Sequence, residues 1–231
     1  MRALRPDFYA RPVLEVAREL IGCTVEHDGA AGVIVETEAY HQSEPACHAF
    51  AGLTPRTRTL FGPPGRAYVY RSYGVHALLN AVCEREGVGA AVLIRALAPS
   101  SGVEAMRARR ARAANAARAA LAEEDLCSGP GKLTQALGVR LSENGSSLWR
   151  GPVRIREPER RWREVDVMQG TRVGINRATE LRWRFCVAGN RHVSRPRPRQ
   201  RGARASPPPP RSARARGSAP RPLLPRARTP R

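Results

Sequence analysis

The sequence predicts a mixed α+β fold: a single compact domain with a curved antiparallel β-sheet and surrounding helices. Three observations predict it. Short runs with strand character are interleaved with only a few helical stretches, turn signals punctuate them, and no regular βαβ alternation is present.

Taken in order, Pro12 opens a helical stretch whose Val13, Ala17, Leu20 and Ile21 fall on one face, and Gly22 is placed to end it. Residues 31–40 (AGVIVETEAY) then change to strand character, as do residues 67–71 (AYVYR) and 89–97 (GAAVLIRAL). The turn-forming Gly62-Pro63-Pro64-Gly65 precedes the second of these. Residues 103–122, rich in alanine and arginine, predict a basic, mostly exposed helix. A short helix follows Ser128-Gly129-Pro130-Gly131 and stops near Gly138. Residues 150–195 mix turns with short strands, of which residues 183–188 (WRFCVA) are the clearest.

The domain is expected to cover residues 1–195. From residue 196 to 231 the chain is Pro, Arg, Ser and Ala with hardly a large apolar residue, a composition that cannot build a core. That segment is expected to be a disordered basic tail, either inert or a loose tether for DNA. Its eleven arginines, with no acidic residue, carry about half of the formal charge of +20, and the remainder of the chain is still basic. Such a charge favours polyanionic partners and a salt-sensitive encounter with phosphate backbones.

Five cysteines are scattered singly without a C-x-x-C pair, so a zinc ribbon or knuckle is unsupported. No run of about 18 apolar residues is present to span a bilayer, and the N-terminus lacks a signal-peptide layout. The expectation is a soluble intracellular chain, cytoplasmic or nucleoid-associated, monomeric, without membrane contact, metal or cofactor.

Four of the five tyrosines, Tyr40, Tyr68, Tyr70 and Tyr73, lie close together in a chain otherwise poor in aromatics. They either stack on a planar ligand or pack a half-buried sheet. In VETEAY, period-two alternation puts Glu36, Glu38 and Tyr40 on one face, with successive members roughly 6.5 Å apart. A ring beside a carboxylate can hold a flat substrate while the acid takes a proton from water. Glu36 reads better as a solvated charge. Arg95, inside an apolar strand, calls for an anionic partner, because arginine is rarely buried without one. His48 alone reads as a surface histidine, and Asn80 alone as a cap or turn residue. Gly129-Pro130-Gly131-Lys132 lacks the Walker spacing and the following Ser or Thr, which excludes nucleoside triphosphate binding, but a helix N-terminus with one lysine suits a DNA phosphate. Pro45-Ala46-Cys47-His48 is only a broken form of the zinc deaminase motif.

In order and spacing, VETEAY, His48, TPR at 54–56, GPPGRAYVYRSYG, the Asn80 region, VLIRAL, LCSGPGKL and RVGINRATELRWRFCVAGN resemble the alkyladenine (3-methyladenine) DNA glycosylase family, over about residues 12–195. The resemblance implies a monofunctional base excision repair enzyme acting on double-stranded DNA that contains a damaged purine. It assigns Glu38 to activating the attacking water, with Arg95 near that water and a backbone phosphate. It assigns Tyr40 and His48 to sandwiching a flipped base, Tyr70 to closing the edge, Asn80 to rejecting the exocyclic amino group of guanine, and the backbone of Ala46 and His48 to the base edge. Tyr73 would wedge into the duplex, and Arg56 and Lys132 would bind DNA. Val75 and His76 depart from the methionine and tyrosine of some members, and Leu78 and Leu79 could alter the wall behind Asn80. Two other readings compete: an arginine-rich nucleic-acid binder with a structural Glu38, and a hydrolase of free nucleosides.

Overall fold

A computed structural model describes residues 1–72, 74, 76–114 and 121–197. An eight-stranded antiparallel sheet forms the frame. In chain order the strands are β1 (Thr24–His27), β2 (Ala30–His41), β3 (Ala67–Ser72), β4 (His76–Val82), β5 (Ala90–Ser101), β6 (Arg154–Arg156), β7 (Val167–Gly170) and β8 (Arg184–Val187). The order is β3-β4-β5-β2-β1-β6, with β8 paired to both β2 and β7. β2 is therefore central. It lies along β5 on one side, while β1 and β8 pair with successive parts of its other edge.

Strand alternation sorts the sheet into two faces. Thr37, Ala39, Ala67, Val69, Leu79, Ala81, Ala90, Val92 and Ile94 are buried on the core side. Against them packs α2 (Val13–Glu19), presenting Val13, Val16 and Ala17. The Thr37 hydroxyl donates to the Ala17 carbonyl at 2.7 Å, which ties the helix to β2 directly beside Glu36 and Glu38. Each large aliphatic side chain hidden here contributes on the order of 1.5–3 kcal/mol. Glu38, Tyr40, Tyr68, Tyr70, Leu78, Asn80, Leu93 and Arg95 belong to the opposite face, where the functional cleft lies.

Pro12 caps α2 as expected, and the chain turns away through Gly22 at φ +88°, where a Cβ would come within 2.5 Å of the Trp162 carbonyl oxygen. The helix expected at 103–122 is α3 (Val103–Ala114); residues 115–120 lie outside those described, and 121–122 are not helical. It is less exposed than its composition suggests, because Met106, Arg110 and Ala111 are buried. The alanines of this helix give no amphipathic pattern, so its inner face is legible only from the packing. Besides the single turns α1 (Pro6–Tyr9) and α4 (Glu123–Leu126), the last helix is α5 (Pro130–Leu137), with Pro130 in its first turn and Gly138 in the left-handed conformation at its end.

β4 departs from the expectation for Asn80 as an isolated residue. It is no cap or turn: Asn80 sits mid-strand opposite Tyr68 on β3 and Leu93 on β5. Of the neighbouring leucines, only Leu78 shares its face, whereas Leu79 points into the core. Short β1, β6 and β7 carry too few residues to show a period in the sequence. No helix among the described residues is long and apolar enough to cross a membrane. The tail from residue 198 onward lies outside the described residues.

Candidate active site

Above the sheet opens a cleft of about 960 Å³. Strand alternation supplies its floor from Tyr40, Tyr68, Tyr70, Asn80, Leu93 and Arg95. Segments 45–48, 129–132 and 173–177 supply its walls. Among the described residues its lining carries six cations, Arg56, Arg71, Arg95, Arg110, Lys132 and Arg177, and no carboxylate. An opening of that polarity concentrates anions at its mouth.

The two glutamates of VETEAY share a face, but neither is solvated. The solvated reading of Glu36 is overturned, since both Glu36 and Glu38 are fully buried. Glu36 accepts from Arg95 Nε at 2.8 Å, Arg184 Nε at 2.7 Å, Ser194 N at 2.8 Å and Ser194 Oγ at 2.9 Å. Two guanidiniums and a serine thus satisfy it, and they come from β5, β8 and the segment after β8. No local sequence signal links them. Arg95 does have the anionic partners its setting demanded. It is placed by irregularities in the β2–β5 register, where Ile34, Glu36 and Thr37 oppose Leu97, Ala96 and Ile94 and leave Arg95 unpaired with any residue of β2. From there its Nη1 reaches Glu38 Oε2 at 3.2 Å, and its Nη2 donates to Ser194 Oγ at 3.2 Å.

Glu38 accepts three bonds: from Arg95, from the Tyr40 hydroxyl at 2.8 Å on Oε2, and from the Val173 N–H at 2.7 Å on Oε1. It does not itself line the cleft, yet all three partners do. Burial pushes its carboxyl up, opposed by Arg95, the Val173 N–H and the Tyr40 hydroxyl. A carboxylate has about four lone-pair sites, so one remains for a water proton. Burial also lowers the Arg95 guanidinium, but Glu38 and Glu36 outweigh that and leave its pKa raised. Burial raises the Tyr40 and Tyr70 hydroxyls, which keeps both phenols neutral. Burial, then the charge of Arg56, lowers His48, so its ring is neutral at pH 7 and above.

The rings fall into two groups. His48 and Tyr70 meet nearly edge to face at 4.6 Å, Tyr70 stacks on Tyr68 at 5.2 Å, and His48 Nδ1 lies 3.1 Å from the Tyr68 hydroxyl. Tyr40 stands apart, with no ring–ring contact among the described residues and with the Arg172 guanidinium 4.7 Å from its ring centre. Both groups face the cleft, leaving a slot between them. Asn80 is buried at its floor, donating through Nδ2 to the Tyr68 carbonyl at 3.1 Å. Tyr68, which the tyrosine count noted without a role, therefore fixes His48 through its hydroxyl and Asn80 through its backbone.

The Ala46 N–H is occupied, donating to Glu44 Oε2 at 2.8 Å, so only the Ala46 carbonyl can serve a ligand edge. Arg56 is exposed at the rim. Lys132 also reaches the rim from α5, held by Ser128 Oγ at 3.2 Å and near Asp125 at 3.6 Å. Gly131 beneath it admits His76, which a Cβ would approach to 2.8 Å. Tyr73 lies outside the described residues. The buried pair Arg172–Glu44, at 2.7 Å, was not foreseen from sequence; its partners are far apart in the chain.

A slot with aromatic walls, a basic mouth and a carboxylate one layer beneath is suited to hydrolysing a bond at the rim of a planar group. Comparison with known proteins agrees with that chemistry. Residues 7–191 match the family model described as Methylpurine-DNA glycosylase (MPG). A protein of Rhodopseudomonas palustris named "Putative 3-methyladenine DNA glycosylase" is 53% identical over 193 residues, 84% of this chain and 90% of the relative. Proteins bearing the same name from Bradyrhizobium diazoefficiens, 49% identical over 86% of this chain and 94% of the relative, and from Methanoculleus marisnigri, 46% identical over 81% and 96%, show the same likeness. The matched span contains every residue of the slot and, except for Ser194, the carboxylate network beneath it, and on that evidence the chain belongs to the methylpurine-DNA glycosylase family.

Proposed function

We propose that the protein is a monofunctional 3-methyladenine-type DNA glycosylase of base excision repair. It takes a damaged purine swung out of duplex DNA into the slot and hydrolyses its N-glycosidic bond, leaving an abasic site. The observation that carries this reading is the joint placement of the Tyr40 and His48 walls with Glu38 and Arg95 directly behind them.

Flipping costs a few kcal/mol of pairing and stacking, and less for a damaged base, so selection begins before chemistry. Stacking on an aromatic wall returns about 1–3 kcal/mol. A purine methylated on its ring carries positive charge, and the neutral Tyr40, Tyr70 and His48 favour it by on the order of 0.5–2 kcal/mol where a neutral base gains nothing comparable. Tyr70 closes the edge. Asn80, fixed by Tyr68, obstructs an exocyclic amino group at the floor, and the Ala46 carbonyl accepts from the base edge.

Glu38 acts ionised. Arg95, Val173 and Tyr40 hold the carboxylate while its fourth lone-pair site takes a proton from water entering between the residues that line the cleft. The same negative charge stabilises the oxocarbenium-like sugar as the base departs. Arg56 and Lys132 at the rim hold backbone phosphates. Lys132 is the sole lysine and is held at the rim by Ser128, away from the Glu38 network, which favours hydrolysis over a lysine Schiff base.

The test is direct. Duplex oligonucleotides bearing 3-methyladenine, ethenoadenine or hypoxanthine are incubated with the protein and then treated with alkali, which breaks abasic sites. Lesion-dependent cleavage products are expected only after alkali, with no borohydride-trapped adduct and no release of base from free nucleosides. Absence of product from every lesion contradicts the reading, and activity on free nucleosides alone would replace it with a nucleoside hydrolase.

A further inference from the structure

The end of β2 and the following segment 44–48 are tied to the loop 173–178, far away in the chain, by one buried side chain that does not itself line the cleft. Arg172 is fully buried at its side chain. Its Nη1 donates to the Ala39 carbonyl at 3.0 Å and to Glu44 Oε1 at 2.7 Å, while Nη2 donates to Glu44 Oε2 at 2.9 Å and to the Ala178 carbonyl at 3.3 Å. Its Cζ lies over the Tyr40 ring at 4.7 Å from the ring centre and over the Trp183 ring at 5.3 Å. Glu44 passes the constraint on, since its Oε2 also accepts the Ala46 N–H. The guanidinium therefore backs one wall, Tyr40, and through Glu44 anchors the segment that carries the facing wall, Ala46 to His48. Through Ala178 it also restrains the loop bearing Val173, the donor to Glu38.

We propose that Arg172, with Glu44, is a positioning pair that sets the spacing between the Tyr40 and His48 walls, and thereby how well the slot grips a flat damaged base. The inference rests on the glycosylase reading of the slot. A planar fork is required, because lysine offers a point charge that cannot engage both Glu44 oxygens and the Ala39 and Ala178 carbonyls at once. The Arg172 Nε has no partner among the described residues, so Glu44, two carbonyls and two rings alone decide its orientation.

The experiment separates grip from folding and from chemistry. In a Glu38→Gln background, which holds the lesion without turnover, duplexes with and without ethenoadenine are titrated, following affinity and the quenching of ethenoadenine fluorescence on stacking. With Arg172 intact, preference for the lesion duplex and quenching are expected. Adding Arg172→Lys is expected to cut that preference on the order of tenfold and weaken the quenching, with affinity for undamaged duplex unchanged, since the rim cations are untouched. Glu44→Gln, which keeps the volume and one acceptor but loses the bidentate charge pair, is expected to act in the same direction by about threefold and carries the test if Arg172→Lys does not fold. Unaltered lesion preference and quenching in a folded variant overturn the positioning role. Loss of affinity for lesion and undamaged duplexes alike assigns the pair to stability alone and overturns it too. Absence of any lesion preference while Arg172 is intact brings down the glycosylase reading as well.

Discussion

Replacing Arg95 with glutamine tests the electrostatic logic beneath the slot. Glu36 would keep Arg184 and both Ser194 donors, whereas Glu38 would lose the only cation that pairs with it among the described residues. Removing one partner of a buried pair costs about 3–5 kcal/mol, and a domain of this size loses roughly 2–4 °C of Tm per kcal/mol, so Tm should fall by about 6–20 °C. The catalytic consequence follows from sign. Burial already raises the Glu38 carboxyl and Arg95 is the largest force opposing it, so the variant's Glu38 titrates higher still. A carboxyl whose folded pKa lies above its unfolded value gives the folded state extra affinity for protons, so stability falls as pH rises through that window. The Tm deficit should therefore widen as pH rises. Single-turnover rates on 3-methyladenine duplexes, whose base is already cationic, measured from about pH 5 to 9, should show the lower limb displaced toward alkaline pH. A lower limb that stays in place, or moves acidward, refutes the coupling.

Tyr40→Phe keeps the ring and removes one donor to Glu38, so single-turnover excision should slow by about 10- to 200-fold, the roughly 1.5–3 kcal/mol of one hydrogen bond to a charged group. An unchanged rate would disconnect the hydroxyl from catalysis. Lys132→Ala should weaken binding to damaged and undamaged duplexes alike and lower the slope of log affinity against log salt by about 1, measured by fluorescence anisotropy at several salt concentrations. Leu79→Ala, on the core side of the strand that carries Asn80, should cost about 2–5 kcal/mol in chemical denaturation while leaving the rate of the remaining folded enzyme intact.

Much of the frame is legible before any coordinates. The long central strands β2 and β5 declare themselves because β-branched and aromatic residues run between turn signals, and the Glu36, Glu38, Tyr40 alternation holds in space. α5 is bounded by its own Pro and Gly chemistry. β4 hides in HALLNAV because a leucine pair obscures the period, with Leu78 facing the cleft and Leu79 the core. Glu36 misleads because its compensating charges, Arg95 and Arg184, lie 59 and 148 residues away. The Arg172–Glu44 pair, separated by 128 residues, escapes for the same reason: one arginine among many carries no mark of burial in the sequence. Family likeness supplied roles for Glu38, His48 and Asn80 that side-chain type alone left open, but it did not show that the Ala46 N–H is already taken.

The central claim is that the carboxylate beneath the slot performs the hydrolysis without being what holds the slot together. Glu38→Gln should be measured for single-turnover excision and for Tm on the same preparation. The account predicts a rate lower by about 10²- to 10⁴-fold, the usual span for a positioned acid or base, with Tm within a few degrees of the parent because the amide relieves a buried charge while keeping most of its bonds. Excision within tenfold of the parent, or a collapse in Tm large enough to account for the lost rate, would contradict it.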